Sequence, residues 1–255
     1  YECIDDDETS GKLIQHAKDL AESKGYVWLI GPMEGSTWNN YRFSKHNQYP
    51  NFFLEPYHHI YYNQQFKNAG FTEIADYYSN RDQTLDVDNE KLDVFEKGCL
   101  DQGAVIRKLN MNDFKNDLAK IGRASLDGFA NNFLYTPISV ETFVARYEYL
   151  KHFFDPDLVW IVEDSKKEIH AFVFAIKDYM NPSDETIIVK SMARKHLSEF
   201  TGVGTYLAGK IVQIARQKGY KKVVHALMIK NNLSMKISEK YSGDKYKSYA
   251  LYGLK

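Results

Sequence analysis

Apolar positions along this chain switch between two spacings. Over residues 10–24, Leu13, Ile14, Ala17, Leu20 and Ala21 recur every three or four residues, the mark of one helix face. Asp5-Asp6-Asp7-Glu8-Thr9 precedes them with capping side chains and negative charge suited to a helix N-terminus, and Gly25 closes the helix. Residues 1–4 read as a short strand. Tyr26-Val27-Trp28-Leu29-Ile30 is a continuous apolar run that predicts a buried strand. A second helix over residues 58–69, ended by Gly70-Phe71, and a strand over 73–78 complete the first part. Residues 81–103 are polar and acidic and show no period before Leu92, so they read as a linker.

The pattern then resumes. A strand over 104–109 leads to the cap Asn110-Met111-Asn112-Asp113 and a helix of about twenty residues. Pro137 breaks the chain, and Ser139-Val140-Glu141 opens a helix that reaches Phe153. Residues 158–162 and 168–177 read as two strands joined by the turn 163–167. The run Ile187-Ile188-Val189 leads through Lys190-Ser191-Met192-Ala193-Arg194 to a turn. Gly202-Val203-Gly204 then opens an amphipathic helix that stops at Gly219. The apolar run 223–229, a helix over 232–240 and a strand over 246–254 follow.

The two parts share an order and a detail. Lys24-Gly25-Tyr26 and Lys218-Gly219-Tyr220 each end a helix and open an apolar strand, 194 residues apart. That period is too long for a solenoid and predicts two copies of one fold. The copies differ at the helix entrance. The second has Gly202-x-Gly204; the first has four consecutive acids, which repel a pyrophosphate or simply cap the helix. On either reading the first copy binds no nucleotide phosphate.

Composition narrows the function. The 255 residues suit one large domain or two ordinary ones, and 44% hydrophobic content supports a sizeable core throughout. Aromatics reach 15%, and the aperiodic stretch 31–57 holds Trp38, Tyr41, Phe43, Tyr49, Phe52, Phe53 and Tyr57. A long aromatic loop of this kind either lines a substrate pocket or packs between the two halves. The formal net charge of −1 offers no basic excess for nucleic acid. Cys3 and Cys99 make neither a disulfide framework nor a zinc cluster, which fits a reduced, cytoplasmic setting. His58 and His59 are adjacent and point apart, a poor metal pair, so no metal is expected. No run approaches the roughly 18 apolar residues of a membrane span. The start at Tyr1 reads as that of a fragment, so a missing targeting signal says little.

The strand, glycine loop, helix and strand around residue 202 form an arrangement that can hold a phosphate. First-turn backbone N–H groups point outward, the helix dipole favours an anion, and glycine admits close approach and positive φ. No nucleophile-elbow motif, Walker loop or H-E-x-x-H zinc motif occurs.

In its element order, residues 104–255 resemble the GNAT family of N-acyltransferases. A weaker, partial copy covers residues 1–80. The resemblance implies an α/β fold with a mixed sheet: a complete C-terminal GNAT module, a truncated N-terminal one, and the linker 81–103. It also implies acetyl-CoA, or another acyl-CoA, as cosubstrate. Met192, Ala193 and Arg194 would bind the pantetheine arm. The family signature, Arg or Gln, two residues, Gly, one residue, then Gly or Ala, here reads Glu199-Phe200-Thr201-Gly202-Val203-Gly204, followed by Thr205. The glycines match and Glu199 departs, setting a carboxylate near a pyrophosphate unless it turns to solvent. Arg194, Lys195 or His196 would then neutralise phosphate. Asn231 and Ser234 fit the pattern after the next strand, but the position of the family's acidic Tyr is Ser238, with Tyr241 one helical turn on. Such a hydroxyl protonates the leaving thiolate.

Glu163 and His225 are possible bases, and His170 has the same side chain in a strand. Direct attack of an amine, from a small molecule or a peptide, on the thioester is the reaction implied. A GNAT-like binding or regulatory protein without catalysis, and an aminoacyl transferase that uses no CoA, are the alternatives.

Overall fold

The computed structural model describes residues 1–195, 198–241 and 244–255. In chain order the elements are α1 (Asp7–Ser23), β1 (Leu29–Gly31), β2 (Phe43–Ser44), α2 (Tyr62–Asn68), β3 (Thr72–Asp82), α3 (Asn89–Asp101), β4 (Val105–Lys108), α4 (Phe114–Gly128), α5 (Val140–Glu148), β5 (Val159–Glu163), β6 (Ile169–Lys177), β7 (Thr186–Arg194), α6 (Val203–Gln217), β8 (Lys222–Ile229), α7 (Leu233–Ser238) and β9 (Asp244–Leu254). All nine strands join one sheet in the order β1-β9-β3-β8-β7-β6-β5-β4, with β2 also on β9. This is the mixed α/β class that the resemblance implies.

The N- and C-terminal parts of the chain do not form separate sheets. β8 does not pair with β9; β3, from the N-terminal part, lies between them. Reciprocally, β9 lies between β3 and β1. The exchanged strands each have 11 residues and run antiparallel, with Thr72 opposite Gly253 and Arg81 opposite Asp244. The N-terminal stretch therefore completes the C-terminal sheet. β3 is longer than the expected 73–78: it meets β8 from Tyr77 opposite Ile229, and its extension to Asp82 continues that pairing to Val223.

The expected linker is structured as well. Asp88 caps α3 by accepting from the Lys91 N–H, and Leu92 and Cys99 of α3 are buried. They pack with Val203, Leu207 and Ile211 of α6 in one core. Only two buried turns of α3 are apolar, so its period is too sparse to show against its acidic surface. Residues 1–4 form no strand, and Tyr26, Val27 and Trp28 are exposed, because β1 is short and lies at the sheet edge.

α3 and α6 cover one face of the β4–β8 half. α4 and α5 cover the other, together with Trp38, Tyr49, Phe52, Phe53 and Leu54 from the long aromatic stretch. α6 carries the deepest anchor: Val203, Leu207, Ala208, Ile211, Val212 and Ala215 are fully buried. Each large apolar side chain removed from water in this way stabilises by about 1.5–3 kcal/mol. α1 and α2 pack with Phe43, Phe71, Ala250 and Tyr252 in a smaller core.

Candidate functional site

β7 and β8 are the only parallel pair in the sheet among the described residues, and they stay paired over four residues. The register runs from Thr186 opposite Lys222 to Val189 opposite His225. Beyond that point the strands part. On its other side β7 is still held by β6 out to Ala171 opposite Arg194, but with a register shift between Phe174 and Ala175 that leaves Lys190 as the extra residue. A bulge bends a strand and increases its twist, so it turns residues 190–194 away from β8. β8 bends too. Its register on β3 shifts at Ser79, and Leu227 is held at φ 60° with its N–H donating to Ser79 Oγ. A leucine in the left-handed region costs on the order of 1–3 kcal/mol, and such strain gathers at functional sites. The result is a cleft with one free edge of β7 on one wall and the kinked end of β8 on the other.

The glycine turn stands at the mouth of this cleft. Gly202 caps α6 at φ 92°, a conformation that the missing side chain permits. The Val203 and Tyr206 N–H groups find backbone acceptors at Phe200 and Gly202. Those of Gly204 and Thr205, in the first helical turn, have no intrahelical partner and face outward, with the dipole behind them. Phe200 is buried edge-on to the His170 ring. Glu199 is exposed, so its carboxylate does turn to solvent. Arg194 is exposed and Lys195 half-buried nearby; His196 lies outside the described residues. Met192 is half-buried and Ala193 buried on the stretch of β7 that pairs with β6 but no longer with β8.

α7 approaches the same turn from β8. Asn232, not Asn231, caps it, accepting from the Met235 N–H and from Ser234 Oγ. Asn231 is exposed at φ 67° and serves the turn. Ser238 is fully buried and accepts a hydrogen bond from Asn80 of β3 at 3.0 Å, which encloses it away from the cleft. Tyr241 donates its hydroxyl to Thr205 O at 2.7 Å and stacks on His225, the last residue of β8 paired with β7. Burial pushes the Tyr241 phenol up to about 12. A Cβ on Gly204 would meet Ile237 at 3.0 Å and Met192 at 4.0 Å, so Ile237 of α7 packs close against the start of α6.

The expected bases separate. Glu163 is buried on β5 and paired with Arg107, which also grips Asp117, so it holds β4, β5 and α4 together. His170 lies 3.4 Å from Asp164. His225 stays at the vertex of the cleft, its Nε2 buried without a partner and its pKa lowered to about 4 by burial.

The other side of the cleft is roofed by residues 31–57. Trp38 packs edge-on to Phe143 and donates to Thr136 O. Glu55 is locked to Lys247 at 2.7 Å and accepts from the Tyr249 hydroxyl and the Phe52 N–H. Arg42 donates to Leu227 O and Lys190 to Leu54 O. Neither cation was legible as a site residue: each is a lone basic residue in an aperiodic or strand-end context. Among the described residues no three His, Cys, Asp or Glu lie together to hold a metal ion, and no described helix is long and apolar enough to cross a membrane.

No family model and no curated protein matches the chain. Solved structures do. A GCN5-related N-acetyltransferase from Sphaerobacter thermophilus aligns at TM-score 0.55 and 10% identity, over 76% of this chain and 55% of that one. A GCN5-related glucosamine N-acetyltransferase region of a fungal multi-domain beta-N-acetylglucosaminidase aligns at 0.57 and 10% identity, over 95% and 27%. A tandem GNAT protein from the clavulanic acid biosynthesis pathway aligns at 0.50 and 10% identity, over 95% and 68%. The chain thus spans about half the length of the first of these and about a quarter of the second. These likenesses establish the fold: that of the GCN5-related N-acetyltransferases.

Proposed function

We propose that this GNAT-fold chain is an acyltransferase that moves an acyl group, acetyl first, from acyl-CoA to an amine. The observation that carries the reading is the parting of β7 from β8 after Val189 and His225, directly beneath the outward amides of Gly204 and Thr205. The donor set fits an anionic, peptide-like cosubstrate. The first turn of α6 supplies N–H groups for a pyrophosphate, exposed Arg194 adds positive charge, and the unpaired edge of Met192, Ala193 and Arg194 offers backbone groups to an amide-bearing arm. Acyl-CoA supplies the activated thioester; the chain's part is to orient it, exclude water and manage protons. Tyr241, beside the vertex through its stack on His225, is the proposed proton donor to the thiolate. The amine attacks the thioester carbonyl directly, the carbon–sulfur bond breaks, and the amine's proton leaves to a base or to water.

Ile237 favours a second reading. Its close packing on Gly204 narrows the space between α6 and α7 by which the arm would enter, as expected of a GNAT-fold protein that no longer holds CoA. Calorimetric titration with acetyl-CoA separates the two. Dissociation at or below about 1 mM, some 4 kcal/mol of binding, supports the first reading, with Ile237→Ala binding more tightly. No heat from the native chain or from Ile237→Ala overturns it in favour of the second.

A further inference from the structure

The roofed side of the cleft holds an unbalanced set of charges. Three cations gather there, Arg42, Lys190 and Lys247, against one carboxylate, Glu55. Glu55 is fully used: Lys247 Nζ and the Phe52 N–H on one oxygen, the Tyr249 hydroxyl on the other. Arg42 and Lys190 are left with carbonyl oxygens alone. Arg42 is 6% exposed, donates through Nη1 to Leu227 O at 3.1 Å, and has Nε buried without any acceptor. Its guanidinium lies 3.8 Å from the Tyr41 ring centre and 4.5 Å from that of Tyr77, which orient it without neutralising it. Lys190 donates to Leu54 O at 2.7 Å. Burial, with the Arg42 charge beside it, pushes the Lys190 ammonium down to about 7, while Glu55 acts the other way. His46, facing Glu55 and Lys247, is pushed down by burial first and offers no negative charge.

Buried charges in proteins are paired, because an uncompensated one costs several kcal/mol. Here two adjacent cations lack a carboxylate, and both stand where the strands part: Lys190 at the bulge of β7, Arg42 on the strained carbonyl of Leu227 in β8. An arginine fork beside an ammonium is the donor set of choice for a planar or tetrahedral oxyanion. Tyr41, Leu54, Lys190, Ser191 and Leu227 around the two cations are all half-buried rather than sealed in the core.

We propose that the cleft takes a ligand bearing an oxyanion, a carboxylate or a phosphate, that bridges Arg42 and Lys190 beneath the loop 41–55. Within the acyl-transfer reading, on which this identification of the ligand rests, the acceptor is an amine that carries such a group, of the amino-acid or phosphorylated-amine class. The oxyanion is held on the roofed side, and the amine is thereby presented to the vertex from the face opposite α6.

The test uses the full chain and thermal unfolding at matched ionic strength. The probes are free α-amino acids, their carboxamides, inorganic phosphate and chloride. Stabilisation by the acids but not the amides assigns a carboxylate; stabilisation by phosphate alone assigns a phosphate. Either shift should vanish in Lys190→Met and in Arg42→Gln, with Arg42→Lys retaining part of it. If Arg42→Gln does not fold, Lys190→Met decides. Equal shifts from acids and amides, no shift from any oxyanion, or an unchanged shift in Lys190→Met overturns the proposal. In acetyl-CoA turnover, Lys190→Met should lower the kcat/KM preference for acid over amide by about tenfold or more, the worth of a charge-assisted hydrogen bond. Stabilisation by acids without acetyl-CoA binding leaves the seat standing and removes the acyl-transfer reading. Turnover of acids and amides alike does the reverse.

Discussion

Lys247→Met tests how the roof of the cleft is fixed to the sheet. Lys247, in β9, and Glu55, in the long loop, form an ion pair at 2.7 Å with side chains 1% and 0% exposed. Lys247 Nζ also donates to Pro50 O, and Glu55 keeps the Tyr249 hydroxyl and the Phe52 N–H. Methionine matches the aliphatic stem and removes the charge. Glu55 then stays buried with two neutral donors and no cation, a state that costs about 3–5 kcal/mol. Against a total stability of about 5–15 kcal/mol this is a large share. Equilibrium urea unfolding measures it as a fall in midpoint at constant slope. Because removal of both charges takes away the stranded group, Lys247→Met with Glu55→Gln should recover much of the loss, giving a strong coupling in the double-mutant cycle. A single-variant loss below about 1 kcal/mol, the range of exposed pairs, or strictly additive losses, would refute the idea that this pair clamps the loop.

Three further outcomes are expected. Tyr241→Phe should lower acetyl-transfer turnover by about 10²–10⁴-fold with acetyl-CoA affinity retained, whereas Ser238→Ala leaves turnover in place; steady-state thiol release checks both, and an unimpaired Tyr241→Phe removes the phenol from the chemistry. His225 and His58 are both lowered to about 4, chiefly by burial, so the unfolded chain binds more protons between about pH 6.5 and 4. Stability should therefore be full above pH 6.5 and fall as pH drops through that window, by on the order of 3 kcal/mol per histidine. His225→Phe should flatten the slope in pH-dependent urea melts, and a slope unchanged by that substitution counts against the assignment. Residues 104–255 expressed alone lose β3 from between β8 and β9 and should show no cooperative melt by circular dichroism; a native-like transition would contradict the strand exchange.

Much of the C-terminal part was legible because its signals are strong and local. The run Ile187-Ile188-Val189, the Gly202 turn and the stop at Gly219 mark a strand, a cap and a helix end, and each appears where the pattern sets it. The helix ends at Gly25 and Gly219 were also readable, since both positions take a positive φ that favours glycine. What stayed hidden depends on partners distant in sequence. Nothing in residues 72–82 says that this strand pairs with β8, some 150 residues on. α3 looked like a linker because only one stripe of it meets α6. At the site, Glu199 departs from the signature yet points to solvent, while Ser238, a match by position only, is sealed beneath Asn80. Arg42 and Lys190 carry no motif; they become notable only when folding leaves them buried without an acid.

The parting of β7 and β8 beneath the α6 turn is tested most directly by a crystal structure of the chain with acetyl-CoA. The pyrophosphate is expected on the Gly204 and Thr205 amides, the arm along residues 192–194, and the thioester between Val189 and His225, with Ile237 displaced from Gly204. Acetyl-CoA bound elsewhere, or a cleft that stays closed by Ile237 at saturating ligand, would contradict it.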